Sequence, residues 1–352
     1  MSQSTLHNAK IAKQDEFYTR LSDIEKEMRY YRSFFEGKTV FCNCDDPFES
    51  NFFKYFAMNF NFLKLKKLIC TCYAGSPISH TELNDLPLFN QNNTPEKMPY
   101  MIQINEVTDQ NGDGAVDMTD IETLLRNDKN LLTILDGDGD FRSEESIAWL
   151  KEADVVVTNP PFSLFREFIA QLVKFDKKFI IIGNKNAITY KEVFPLIKEN
   201  KLWLGASINS GGTWFRVPDY YNLSKNFKTD ENGFKYVNIP GPRWFTNVDY
   251  PMRHEDLILY TKYDPQKNLK YDNYDAINVD STKDIPCDYD GAIGVPITFL
   301  DKYNPDQFEL IGISGDLAQS FRNKEGKLCS GRFYINGKRL YDRIVIKRKV
   351  NQ

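Results

Sequence analysis

The sequence predicts an α/β protein: a doubly wound, mostly parallel sheet, followed by an irregular, strand-rich C-terminal region. Three observations predict it. Short, continuous apolar runs recur through the first two hundred residues, as strands buried on both faces require. Stretches with helical spacing separate those runs. Past about Gly205 the texture shifts to Gly, Pro and aromatic residues, as in GGTWFRVPDYY and IPGPRWFTNV. At 352 residues the chain can form one large domain or two, and the expected division is 1–204 and 205–352.

Taken in order, LSDIEKEMRYYRSFF reads as a helix over 21–35, with Gly37 as its stop signal. KTVFCNC is the first strand and ends in Asp45-Asp46-Pro47. PFESNFFKYFAMNF carries Phe48, Phe52, Phe53, Tyr55, Phe56 and Phe60 at helical spacing, a core face. KKLICTCY is the second strand. Residues 75–130 are polar and turn-rich, and read as an insertion. LLTILDGD is a strand, SEESIAWLKEA a helix capped by Ser143. DVVVTNPPF is a strand ending in a Pro turn, LFREFIAQLVKF an amphipathic helix, and KKFIIIGN another strand. In TYKEVFPLIKEN, Thr189 and Glu192 stand at capping-box spacing. HEDLILYTKYD reads as an isolated strand in the C-terminal region.

Composition narrows the class. With 41% hydrophobic and 27% charged residues the chain is globular. No run approaches the roughly 20 apolar residues of a membrane span, and MSQSTLHNAKIAKQDEF lacks the apolar core of a signal peptide. Two of its cysteine pairs, in VFCNC and LICTC, have C-x-C spacing within apolar runs, where alternate residues share a strand face. Zinc favours C-x-x-C with His, whereas His7, His80 and His254 are scattered. Reduced thiols and a cytoplasmic address are expected. The net charge of -4 gives no global pull toward nucleic acid. Between Arg322 and Lys349, however, ten cations face only Glu325 and Asp342. That stripe can hold phosphates; a solvated C-terminal face fits it equally.

In a sheet of this kind ligands gather at the carboxyl ends of the strands. Asp45-Asp46, Asp138 with Asp140, and Asn159-Pro160-Pro161-Phe162 each follow a predicted strand end. The last cluster carries the chemistry. The lone pair of an adenine amine is delocalised into the ring. Two acceptors set against its N–H bonds, the Asn159 carboxamide oxygen and a Pro carbonyl, return density to nitrogen. The prolines stiffen the turn and remove a competing donor, and Phe162 can stack on the base. A base inside a duplex reaches such a pocket only by flipping out, at a few kcal/mol. The pattern points to methylation of an amino or amide nitrogen.

Residues 109–120 follow the calcium-loop pattern D-x-N-x-D-G-x-V-D-x-x-D, with Gly114 at the turn and Asp120 in place of the closing Glu. The same residues suit a metal-free Asx-turn loop. Any ion there, Ca2+ included, is expected to be structural, and no metal is expected in catalysis.

DEFYTRLSDIEKEM (15–28), FCNCDDPFESNF (41–52), GDGDFRS (137–143), VVTNPPFSLFREF (156–168) and GGTWFRVP (211–218) together resemble the adenine-specific DNA methyltransferases, more closely those of the EcoRI modification type. The resemblance covers nearly the whole chain. It implies a Rossmann-like methyltransferase domain with a C-terminal target-recognition region. It also implies a restriction-modification enzyme, acting as a monomer, that moves a methyl group from S-adenosyl-L-methionine to adenine N6 in double-stranded DNA. By position it sets Tyr18 and Thr19 near the cofactor carboxylate and Asp45 and Asp46 near its ammonium group. Asp140 then accepts from the cofactor's adenine amine, a role Asp138 could share, while Phe141 stacks on that ring. Asn159, Pro160, Pro161 and Phe162 form the catalytic pocket, and Trp214 or Phe215 supplies a second stacking surface.

Two departures stand out. CNCDDPFESNF has no Gly-x-Gly, which shifts cofactor approach to Asp45, Asp46 and Ser50 or Asn51. LICTCYAG ends without the usual ribose-gripping acid, leaving Thr71, Tyr73 or an acid from elsewhere. Arg216, Arg243, Arg253 and the basic stripe are candidates for reading DNA. The alternatives are an N-methyltransferase of RNA or a protein amide, and a catalytically silent DNA-binding relative.

Overall fold

The computed structural model describes residues 17–44, 46–47, 50–73, 99–110, 112–114, 116–127, 132–207, 212–217, 227–323 and 325–349. They belong to two compact units: residues 1–187 with 207–248, and residues 188–206 with 249–352.

The first unit opens with α1 (Leu21–Met28), which buries Ile24 and Met28 on one face. A 3-10 turn, Arg32–Phe35, follows. Gly37 then stops the segment at φ 70, a left-handed conformation that costs glycine little. β1 (Thr39–Cys42) is buried throughout. α2 (Asn51–Met58) starts at Ser50, whose side chain accepts from Phe52 N, and buries Phe52, Phe53, Tyr55 and Phe56. Phe48 of the expected aromatic face lies outside the described residues. β2 (Lys67–Thr71), β3 (Tyr100–Ile104), α3 (Met118–Asn127) and β4 (Leu132–Ile134) follow. α4 (Glu144–Glu152) is capped by Ser143 as expected. β5 (Val155–Thr158), α5 (Phe165–Lys174) and β6 (Lys178–Asn184) complete the alternation.

Residues 188–206 of the second unit carry α6 (Phe194–Lys198) and β7 (Trp203–Leu204). The first unit then resumes with β8 (Thr213–Val217), β9 (Phe227–Thr229), β10 (Lys235–Ile239) and β11 (Pro242–Thr246).

Within this unit the main sheet runs β4-β3-β2-β1-β5-β6-β11. β2, β1, β5 and β6 are parallel. β3 is antiparallel to both its neighbours, so two reversals leave β4 pointing the same way as β2. β11 runs antiparallel to β6. The chain is thus α/β, with a large mixed sheet whose core strands are mostly parallel. The carboxyl ends of β4, β2, β1, β5 and β6 share one edge. β8, β10 and β9 form a separate antiparallel sheet.

The second unit continues with β12 (Lys270–Tyr271), β13 (Tyr274–Asn278), β14 (Ile293–Pro296), β15 (Phe308–Ile313) and α7 (Ser314–Leu317). Two short ladders follow, β16 (Phe321–Arg322) with β17 (Leu328–Cys329) and β18 (Tyr334–Ile335) with β19 (Lys338–Arg339). β20 (Arg343–Arg348) closes a sheet ordered β12-β13-β14-β20-β15. Ile344, Val345 and Ile346 of β20 are fully buried, and Phe333 stacks on Tyr271 at 4.4 Å.

Three sequence expectations change here, and the compact units are a separate observation. β3 lies within the stretch expected to be an insertion, where one strand among polar neighbours gave no periodic signal; residues 74–98 lie outside the described residues. The helix expected from Thr189 starts at Phe194, with Pro195 in its first turn and no side-chain cap. HEDLILYTKYD forms no strand; an isolated bridge joins Thr261 to Pro286, and Ile258 and Tyr260 are exposed by 83% and 69%, with no apolar face to bury. The compact units divide elsewhere than at 204/205. Residues 207–248 join the first unit because β11 pairs with β6 and Arg216 bridges Tyr18.

Candidate active site

β5 is buried on both faces between β1 and β6, so its end is a fixed point. Asn159 follows it, 5% exposed. Its Nδ2 donates to the Phe17 carbonyl at 2.7 Å. That carbonyl can only accept, which sets the amide orientation and leaves Oδ1 buried with no hydrogen-bond partner. Pro160 and Pro161 contribute no N–H. The Pro161 carbonyl accepts from Leu164 N at 2.9 Å as the chain enters the 3-10 turn Phe162–Leu164. The buried Phe162 ring meets Phe17 edge-on at 5.9 Å, and Phe17 meets Phe215 at 5.7 Å.

The extended segment 17–19 alternates its side chains. The Tyr18 backbone forms both bonds of the bridge to Arg216, 3.1 Å each, and its ring lies 5.8 Å from the Arg216 guanidinium. Thr19, 1% exposed with its Oγ1 unpartnered, lines a cleft with Asp23, Ser207, Phe215, Arg243 and Trp244. Thr19 therefore faces the cleft and Tyr18 does not. Asn51 donates to the Thr19 carbonyl at 2.7 Å, and Ser50 caps α2; both hold the chain in place.

The acids sit along the same edge. Asp45, with Asp15 and Glu16 of the N-terminal run, lies outside the described residues. Asp46 is 2% exposed and accepts from the Tyr100 hydroxyl at 2.6 Å. Asp140 is gripped by Arg142, Nε to Oδ1 at 2.8 Å and Nη2 to Oδ2 at 2.7 Å. Those bonds hold its carboxyl below the usual carboxylate range against the opposing effect of partial burial. Asp138 accepts from Asp140 N at 2.9 Å and shapes the turn. Gly139 has φ +74, and a Cβ there would lie 2.1 Å from the Cys72 carbonyl, so this loop lies directly against the end of β2. Phe141 packs edge-on against Phe168 at 5.1 Å.

The hydroxyls of Thr71, the last residue of β2, and Thr158, the last of β5, are also buried without partners. Buried polar atoms are nearly always paired. Together with Asn159 Oδ1 they are unpaired polar positions along this edge.

Tyr100 and Arg142 carry little signal in the sequence. The Tyr-Met-Ile-Gln-Ile run holding Tyr100 is a short apolar signal. Arg142 stands two residues from Asp140, the spacing of a local ion pair.

Of the two candidate stacking residues, Phe215 is fully buried beside Phe17, while Trp214 points from the opposite face of β8. Several candidate DNA-reading cations are engaged within the fold. Arg253, 6% exposed, stacks on Trp203 at 3.9 Å and bonds Asn200. Arg343 binds Asn278 and Asp280. Arg348 donates to the Cys287 carbonyl, and Lys349 to that of Pro305 at 2.7 Å. Lys327, Lys338, Arg339 and Lys347 are exposed; Lys324 lies outside the described residues.

In the 109–120 loop, Asp109 accepts from Gly112 N and Gly114 N, and Asp120 from Gln110 N and Asp117 N. These carboxylates are engaged by the loop's own backbone; Asn111 lies outside the described residues. Among the described residues no group of three or more His, Cys, Asp and Glu could hold a metal. Nor is any helix of theirs long and apolar enough to cross a membrane.

A family model described as adenine-specific methyltransferase EcoRI matches residues 5–349. The chain is 48% identical over 338 residues to the type II methyltransferase M.EcoRI of Escherichia coli, covering 95% of this chain and 97% of that one. It is 38% identical to the type II methyltransferase M.MgeORF184P of Mycoplasma genitalium over 97% of this chain and 98% of the relative. It is 35% identical to the type II methyltransferase M.MpnI of Mycoplasma pneumoniae, over 98% of each. No solved structure matches.

Proposed function

The chain belongs to the EcoRI family of adenine-specific methyltransferases, and from that membership we propose how its own residues carry the reaction. It is a DNA adenine methyltransferase of the restriction-modification kind. The finer reading is transfer to N6 of an adenine flipped out of duplex DNA, by a Rossmann-like domain working as a cytoplasmic monomer.

One observation carries this reading: Asn159 Oδ1 is buried, unpartnered and fixed in orientation by Phe17. Leaving such an acceptor unmade costs about 1–3 kcal/mol, which an incoming N–H offsets. In the proposed complex Asn159 Oδ1 accepts one N–H of the adenine amine. The Pro160 carbonyl accepts the other, since that of Pro161 is engaged by Leu164. Both acceptors draw the amine protons toward themselves and push N–H bonding density back onto nitrogen, so its lone pair becomes available to form the new N–C bond as the methyl group leaves the donor's sulfur. After transfer the nitrogen is cationic and loses a proton to solvent; neither acceptor needs to be a strong base. Phe162, braced by Phe17, offers its ring to the base.

The orphan hydroxyls and the buried Asp46 fit a polar cofactor at the sheet edge. The family's methyl donor, S-adenosylmethionine, supplies an electrophilic methyl group on a sulfonium. Asp46 with Asp45 would hold its ammonium group, Thr71 a ribose hydroxyl, Asp140 its adenine amine and Phe141 that ring's face. Tyr18 and Thr19 would stand at its carboxylate, Thr19 as the side chain that faces the cleft. Labelled S-adenosylmethionine incubated with duplex DNA tests the reading: label is expected in N6-methyladenine, and label confined to RNA or protein would overturn it.

A further inference from the structure

The three-stranded sheet of β8, β10 and β9 has two unlike faces. Thr213, Phe215 and Val217 of β8 and Val237 and Ile239 of β10 point inward and are buried. Trp214 and Arg216 of β8 point outward, paired with Asn238 and Tyr236 of β10, and all four are half-buried. Lys228 of β9, opposite Tyr236, is exposed. Its Nζ lies 4.7 Å from the centre of the Trp214 ring and 5.6 Å from that of Tyr236. The Arg216 guanidinium lies 3.9 Å from the ring centre of Phe234, itself 40% exposed.

Two acids border this face. Asp230 is engaged by the Tyr236 hydroxyl at 3.0 Å and by Asn232 N and Phe234 N; Glu231 is exposed beside it. The outward positions themselves thus carry cations, an amide and ring faces, with no carboxylate among them. Cations interleaved with half-buried aromatic rings complement a polyanion whose units also present π faces. An acidic peptide would meet the cations and leave the rings unused. The strand is also tied to the site: Phe215, between Trp214 and Arg216, packs on Phe17, whose carbonyl holds Asn159.

We propose that this outward face is the platform on which a strand of the DNA substrate lies. Arg216 meets phosphate; Lys228, exposed and lying over the Trp214 and Tyr236 rings, swings to a neighbouring phosphate, and the two rings it uncovers stack on bases left unstacked when the target adenine is extruded. The inference rests on the reading of the protein as a methyltransferase acting on flipped adenine.

The test uses the full chain and its Trp214→Ala, Trp214→Phe and Lys228→Gln variants. Binding is measured to a mixed-sequence single-stranded 20-mer and to heparin, a polyanion without bases. Base stacking of this kind is worth about 1–3 kcal/mol. Trp214→Ala should therefore weaken 20-mer binding roughly 5- to 150-fold while heparin and cofactor affinities hold, and Trp214→Phe should retain most of the 20-mer affinity. Lys228→Gln should lower the slope of log affinity against log salt by about 0.7. Cofactor affinity and circular dichroism report folding. Wild-type 20-mer affinity in folded Trp214→Ala and Lys228→Gln overturns the proposal, and so does an equal loss toward heparin and the 20-mer in Trp214→Ala. Methyl transfer by the unaltered protein to duplex adenine, run alongside, tests the underlying reading separately.

Discussion

The Asn159 carboxamide hangs from the main chain of Phe17: Nδ2 donates to that carbonyl at 2.7 Å, and Oδ1 is left buried with nothing to accept from. A residue 142 positions away thereby fixes which end of the amide is left open to accept.

Asn159→Ala should leave cofactor and DNA affinities within a few-fold of wild type and slow the methyl-transfer step by about 100- to 1000-fold, the effect of removing one preorganised transition-state partner. Single-turnover transfer and equilibrium titration check this. Parallel loss of both affinities would make Asn159 a structural residue.

Gly139→Ala is expected to destabilise the first unit and weaken cofactor binding together. The substitution forces a left-handed residue and sets a methyl group 2.1 Å from the Cys72 carbonyl. Strain at such a position costs about 1–3 kcal/mol. Thermal melts with calorimetric titration of the cofactor would show it, and an unchanged melt would mean that the loop stands clear of β2.

Arg142→Ala should raise the Asp140 pKa toward the ordinary carboxylate value, since the hydrogen bonds from Arg142 are the largest cause of its lowering. A depressed folded pKa contributes stability above the unfolded value, near 3.9, and loses it as pH falls through the folded pKa. From pH 5 to 8 the pair is therefore silent in the wild type. Carboxyl carbon chemical shifts followed through an acid titration measure it directly; an unmoved pKa in the variant would assign the lowering to another group.

His254 gives the opposite sign. Asp306 at 2.7 Å and Asp249 at 2.9 Å raise its pKa. Its contribution is complete below the unfolded value near 6.5 and fades as pH rises through the folded one. The wild type should lose a little melting temperature across that rise relative to His254→Ala, the effect being small because the ring is 39% exposed. Parallel melting curves against pH for the two proteins would remove His254 from the account.

The sequence made the parallel core legible, because β1, β2, β5 and β6 are continuous apolar runs and their ends carry the polar clusters. It also made Asn159 and its prolines legible as a candidate site, since the proposed chemistry demands those residue types. It could not show that Phe17 holds Asn159, because a main-chain carbonyl has no residue signature. Nor could it split the basic stripe: Arg343 and Lys338 look alike in the chain, yet one binds Asn278 and Asp280 and the other is exposed. β3 was hidden because one strand among polar neighbours has no period to detect. The apolar residues at 257–260 misled for the converse reason, since Ile258 finds no surface to pack against.

The most direct measurement of the central claim is a cycle of four affinities: wild type and Asn159→Ala, each with duplexes carrying adenine or unsubstituted purine at the methylated position. Purine lacks the amine. The ratio of adenine to purine affinity should be a few-fold higher in the wild type than in Asn159→Ala, because the group that accepts from the amine is gone. An adenine preference of equal size in both proteins would contradict the account and place the amine's acceptor elsewhere.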